Sequence, residues 1–115
     1  MATWRMGLQE EYLKAIAAGK KRIEGRLYDE KRQAIKPGDE IIFENKLMCV
    51  VKDVRIYSSF KEMLEKEGLE NVLPGVKSIE EGVKVYRRFY SEEKEKKYGV
   101  AAIEVEPVAW VGEPK

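Results

Sequence analysis

Two capping boxes constrain this chain more than any other feature of it. Ser59-Phe60-Lys61-Glu62 and Ser78-Ile79-Glu80-Glu81 each set a serine three residues before a glutamate. In that spacing the hydroxyl accepts from an otherwise orphaned helix N–H, so each marks a helix start. The first helix is expected to end near Gly68 and the second near Phe89, with Pro74-Gly75 in the loop between them. Before and after this helical insertion the pattern is β. Strands, then helices, then a closing strand leave too few strand–helix alternations for a doubly wound parallel sheet, and the chain reads as α+β.

The β-patterned parts fill in the rest. Thr3 to Met6 is a short extended start, and Leu8, Tyr12, Leu13 and Ile16 form one helical stripe within Leu8 to Ala18, stopped by Gly19. Lys20 to Tyr28 is extended and poor in apolar residues, which suits a sheet edge or a cleft wall. Asp29 to Lys36 is a single-turn connection leading to the Pro37-Gly38 turn. Asp39 to Glu44 and Lys46 to Tyr57 pair as a hairpin hinged near Asn45, the second run bending from core to rim with Val54 and Ile56 turned inward. Ser91 caps a short third helix with Glu92 and Glu93 in its first turn, Lys96 and Lys97 in its last, and Gly99 beyond. The closing strand runs from Val100 to Val105 and is ended by Pro107, and Trp4 and Trp110 pack near the two ends. A long strand that bends in this way belongs to a small β-barrel, with one domain expected over residues 1–115.

Chemistry is narrowed by what the 115 residues lack and where their charges fall. There is no histidine, so histidine-dependent triads and ordinary zinc sites are excluded; no metal site or cofactor is expected, because the acidic pairs Glu10-Glu11, Glu80-Glu81 and Glu92-Glu93 lie on solvated helix faces. The lone Cys49 sits in an apolar run and is expected to be an inert buried thiol. No apolar run approaches the length that spans a bilayer, and a cytoplasmic, membrane-free monomer is expected. The 37% content of charged residues, with few amides, points to a thermophilic source. A formal net charge of +1 makes no global case for nucleic acid, but Lys14 to Lys36 carries eight cations against three anions, whereas Pro37 to Gly75 carries five against eight.

Within the basic segment, strand alternation puts Glu24 and Arg26 on one face, and the long Lys21 side chain can swing to meet them. A point charge, a planar fork and an acceptor together can grip phosphate, a base edge or a ribose hydroxyl. The same trio would also serve as a surface ion-pair ladder. Arg22 and Tyr28 flank it, Tyr28 being placed to stack on a base. Tyr86-Arg87-Arg88-Phe89-Tyr90 offers rings and guanidinium groups as well, although helical spacing assigns Tyr86 and Tyr90 to the core with Ile79 and Val83.

Gly19-Lys20-Lys21-Arg22-Ile23-Glu24-Gly25-Arg26 resembles, at every fixed position, the pattern G-x-K-x-x-E-x-R of the ASCH domain family, relatives of PUA-like RNA-binding barrels. Ile35 to Phe43 is similar to the turn and strand that follow in such domains, and Tyr98 to Val105 to their closing strand. The resemblance implies a small PUA-like barrel with flanking and inserted helices, and a cleft faced by Lys21, Glu24 and Arg26. It implies RNA or a nucleoside or nucleotide as partner, with Arg22 and Tyr28 as further ligand-binding candidates. Some small members hydrolyse N4-acetylcytidine with the motif lysine, a threonine three residues later and a separate glutamate; here Lys21 fits that lysine, but position 24 is Glu24 and the threonine is absent, which counts against hydrolysis and leaves Lys21 and Glu24 as the catalytic candidates. Three readings follow: an RNA-binding module, a nucleoside amidohydrolase, and a protein-binding adaptor using the helices after Ser59 and Ser78.

Overall fold

The computed structural model describes residues 1–112. The chain runs β1 (Thr3–Met6), α1 (Glu10–Ala17), β2 (Ile23–Leu27), a 3₁₀ turn (Arg32–Ala34), β3 (Glu40–Phe43) and β4 (Leu47–Tyr57). It continues through α2 (Phe60–Glu67), α3 (Leu69–Val72), α4 (Ile79–Arg87), α5 (Glu92–Tyr98) and β5 (Val100–Trp110). The five strands form one mixed sheet in the order β1-β3-β4-β5-β2. β1 lies parallel to β3 and every other pair is antiparallel.

The two capping serines act as expected: Ser59 Oγ accepts from Glu62 N–H at 3.0 Å and Ser78 Oγ from Glu81 N–H at 3.1 Å. The Glu62 carboxylate reaches back one residue further than a capping box requires, to the N–H and hydroxyl of Ser58. Ser91 caps α5 in the same way. Gly19 ends α1 with φ +78°, a left-handed conformation that a side chain would strain.

β5 explains how a small sheet supports two cores. Its alternate residues divide between the faces: Val100 and Ala102 join Phe60, Met63, Leu64 and Tyr86 under the helices, while Ala101, Ile103 and Val105 join Ile41, Phe43, Cys49 and α1 residues Leu13 and Ile16 on the other side. A strand covered on both faces reads as an unbroken apolar run, as this one does through Ile103. Cys49 is fully buried in that second cluster, and burial pushes its thiol up to about 12, an inert sulfhydryl as expected.

Three expectations are corrected. The barrel is an open sheet: β1 and β2 are its two edges, and no ladder joins them. After Met6 the chain turns through Gly7 into α1, and the Arg26 side chain rather than a ladder reaches the Gly7 carbonyl. The closing strand does not stop at Pro107 but continues to Trp110. Proline is tolerated there because the pairing with β2 reaches along β5 only to Glu104, opposite the first β2 residue Ile23, leaving the rest of β5 a free edge, and because the register shifts at Cys49. Finally, Ile56 and Trp110 are exposed rather than packed, since both lie at sheet ends past the covering elements. Trp4 does pack on the lower cluster, its indole N–H donating to Asp39 at 2.9 Å.

Candidate functional site

Beside the β2 edge, facing the turn that follows β1, lies a cleft of about 350 Å³. Its floor is β2 with Lys21, Glu24, Gly25 and Arg26; its walls are the Gly7–Gln9 turn, Tyr12 of α1, and Tyr86, Phe89 and Tyr90 from the end of α4. A second hollow of about 350 Å³ lies on the other side of Arg26, lined by β1 and by Lys31, Arg32 and Ile35. Arg26 therefore stands between two cavities. The second is basic: Arg5, Arg26, Lys31 and Arg32 line it, Arg26 being paired with Glu24 and Arg32 with Asp29 at 2.8 Å.

The motif trio converges. Glu24 receives Lys21 Nζ on one carboxylate oxygen at 3.1 Å and Arg26 Nε on the other at 2.6 Å. Lys21 is buried and also donates to the backbone carbonyls of Ile23 and Val72, with its charge 5.4 Å from the centre of the Tyr12 ring. Those three acceptors match the three N–H groups of an ammonium, and only the charged amine can donate to all of them. Arg26 uses a second nitrogen, Nη2, to reach the carbonyl of Gly7 at 2.6 Å, bridging the two sheet edges by side chain where backbone pairing is missing.

Burial of these ions costs desolvation, which mutual attraction outweighs for Glu24 and Arg26 but not for Lys21. Burial by itself would raise Glu24, but Lys21 and Arg26 outweigh it and hold the carboxyl below the usual range. Burial lowers Lys21 below the ordinary lysine value, with Glu24 opposing the shift. Arg26 is desolvated too, and Glu24 more than compensates, raising it.

The other two candidates stand elsewhere. Arg22 is exposed and donates to Asn71 Oδ1 at 3.0 Å, because it precedes β2 and turns toward α3. Tyr28 follows β2 and packs half-buried against the lower apolar cluster. Neither lines the cleft. What sequence reasoning missed is the aromatic wall. Tyr86 is a core residue as expected, stacked on Phe60 with centroids 4.3 Å apart, and Tyr90 stacks on the same ring at 5.6 Å; both nevertheless face the cleft. A helical stripe shows that a ring is covered, not that one edge of it borders a hollow.

The sequence matches the ASCH domain over residues 6–109. This chain belongs to the ASCH domain family. Its fold is similar to that of the hypothetical protein PH0355, at 77% identity and a TM-score of 0.90, over 92% of this chain and 99% of that one. A solution structure of the protein PF0455 from Pyrococcus furiosus is similar at 73% identity and a TM-score of 0.81, over 92% and 97% of the two chains. The charge-rich composition thus goes with relatives in thermophilic archaea. A mutant of the ZmASCH protein from Zymomonas mobilis shares the fold at 14% identity and a TM-score of 0.56, over 96% of this chain and 73% of that one. Among curated proteins none matches. No helix of the described residues is long and apolar enough to cross a membrane.

Proposed function

We propose that this ASCH domain binds RNA or a nucleoside by seating one base in the cleft between β2, the Gly7–Gln9 turn and the end of α4. The observation that carries this is the convergence of Lys21, Glu24 and Arg26 on one concave site walled by tyrosine rings. Each part has a use: rings for a base to stack on, a guanidinium with donors left over, and a carboxylate whose oxygens each retain a lone pair. We take the domain to act as a monomer in the cytoplasm.

Lys21 acts in this reading as an electrostatic clamp. A lysine base or nucleophile must shed its proton; burial lowers Lys21, but two backbone carbonyls and the Glu24 carboxylate accept all three N–H groups of the charged form and favour keeping it. The amidohydrolase reading also lacks its threonine, with Glu24 in that place.

The test is a calorimetric or NMR titration with cytidine and with a short single-stranded RNA, comparing the wild type with Arg26→Ala. Saturable binding, weakened at least about tenfold in the variant, is expected, since a charge-assisted hydrogen bond is removed. No binding of either probe by folded protein overturns the reading. Incubation with N4-acetylcytidine is expected to release no cytidine; turnover would restore the hydrolase alternative.

A further inference from the structure

Among the buried side-chain nitrogen and oxygen atoms of the described residues, the Tyr86 hydroxyl alone has no hydrogen-bond partner. Tyr86 is 6% exposed. A buried, unpaired hydroxyl is costly, and a native structure usually has a reason for one. Phenylalanine would keep the stack on Phe60 and avoid that cost.

The ring has no freedom to satisfy the hydroxyl by moving. Phe60 holds it in a near-parallel stack, 8° between planes. It also passes so close to β2 that a Cβ on Gly25 would lie 2.9 Å from Tyr86 Oη. Glycine at 25 is therefore what admits the hydroxyl to the cleft floor, between the two residues whose side chains make the ion pair. Glu24 and Arg26 are bonded to each other rather than to it. Gly25 and Tyr86 both border the cavity.

We infer that Tyr86 Oη is a specificity-determining group of this site, hydrogen-bonding the polar ring edge of an uncharged planar heterocycle, the base of a nucleoside or of single-stranded RNA. This rests on the nucleoside-binding reading and adds to it the atom that reads the base. A base fits the surroundings better than a phosphate does. Leu8, Leu73 and Val85 share the lining with the rings, and the nearby cations already face a carboxylate. Burial, with Glu24 adding to it, raises the Tyr86 hydroxyl well above the ordinary tyrosine value, so it stays a neutral donor and acceptor.

The experiment pairs Tyr86→Phe with a ligand that lacks the same bond. Wild type and Y86F are titrated with cytidine and with a ribonucleoside carrying a phenyl ring in place of the base, and both proteins are melted without ligand. The expected result is a melting temperature in Y86F equal to or above that of the wild type, because a partnerless hydroxyl has been removed. Cytidine binding falls about tenfold while phenyl riboside binding is unchanged, the size of one neutral hydrogen bond. Equal losses for both ligands, or no loss for cytidine, overturn the role of Tyr86 and leave the nucleoside-binding reading standing. A clear fall in melting temperature also overturns it, since the hydroxyl would then be satisfied within the free protein. Binding of neither ligand by either folded protein removes both.

Discussion

At the scale of single residues, Glu24 is the member of the trio that the other two cannot spare. It is the common acceptor for the buried Lys21 and the half-buried Arg26, and removing one partner of a buried ion pair is far more damaging than the pair is stabilising. Glu24→Gln keeps the shape, yet whichever way the amide turns, one cation meets an NH₂ group. We expect a loss of about 3 kcal/mol at pH 7, read by urea unfolding. The pH dependence has a definite sign. Glu24 is depressed in the folded state, so its contribution is complete above the unfolded carboxylate value of about 4.3 and is lost as pH falls through the native one. The gap between wild type and variant should hold from neutral pH down to the unfolded value and narrow in more acidic solution; a gap undiminished at low pH would show that charge is not its source. The motif made these three residues legible in the sequence. Strand alternation also placed Glu24 and Arg26 on one face. The saturation of Lys21 was not legible, because it spends two of its bonds on the carbonyls of Ile23 and Val72, and the latter lies far along the chain in α3.

At the scale of elements, the helix starts were written in the sequence and their anchoring was not. Serine capping is local and shows as a four-residue pattern. The buried Glu95 of α5 is different: it accepts the Phe60 N–H at the start of α2 at 2.7 Å on one oxygen and Arg87 Nη2 of α4 at 3.0 Å on the other. In a helix with carboxylates at 92, 93 and 95, nothing in spacing distinguishes the one that three helices share. Its negative charge also sits at the positive end of α2. Ser59→Ala is therefore expected to cost about 1 kcal/mol, the usual loss of a helix cap. Glu95→Ala should cost about 2–3 kcal/mol, because an N–H and a guanidinium both lose their acceptor. Urea unfolding of the two variants compares them directly, and equal losses would mean that Glu95 does no more than an ordinary cap. The far end of β5 was misjudged for a related reason. A proline stops a strand only where its missing N–H is needed, and whether it is needed depends on how far the pairing with β2 reaches.

At the scale of the whole molecule, the difference between a barrel and an open sheet is what creates the site. Hairpin pairing of β3 with β4 was readable from two adjacent β runs, but β1 beside β3 and β2 beside β5 join distant segments that no local pattern links. The unjoined edges leave two hollows separated by Arg26, one aromatic and one basic, and a nucleic acid strand can use both: a base in the first, its phosphates toward the second. This changes which cations should govern salt dependence. Lys21, counted among the eight cations of the basic segment, has its donors committed inside the protein and is buried. Lys31 is exposed and lines the basic hollow. For single-stranded RNA each neutralised phosphate contributes about −0.7 to the slope of log affinity against log salt, so two contacts from Arg5 and Lys31, the cations of that hollow not paired with a carboxylate among the described residues, give about −1.4. Lys31→Ala should flatten the slope by about 0.7 and leave cytidine binding unchanged, because the base hollow lies across Arg26. Fluorescence anisotropy of a labelled oligonucleotide over a salt series measures the first, and calorimetry with cytidine the second. A slope unaltered by the substitution would place the phosphates away from β1, and a matching loss of cytidine affinity would mean that the two hollows act as one.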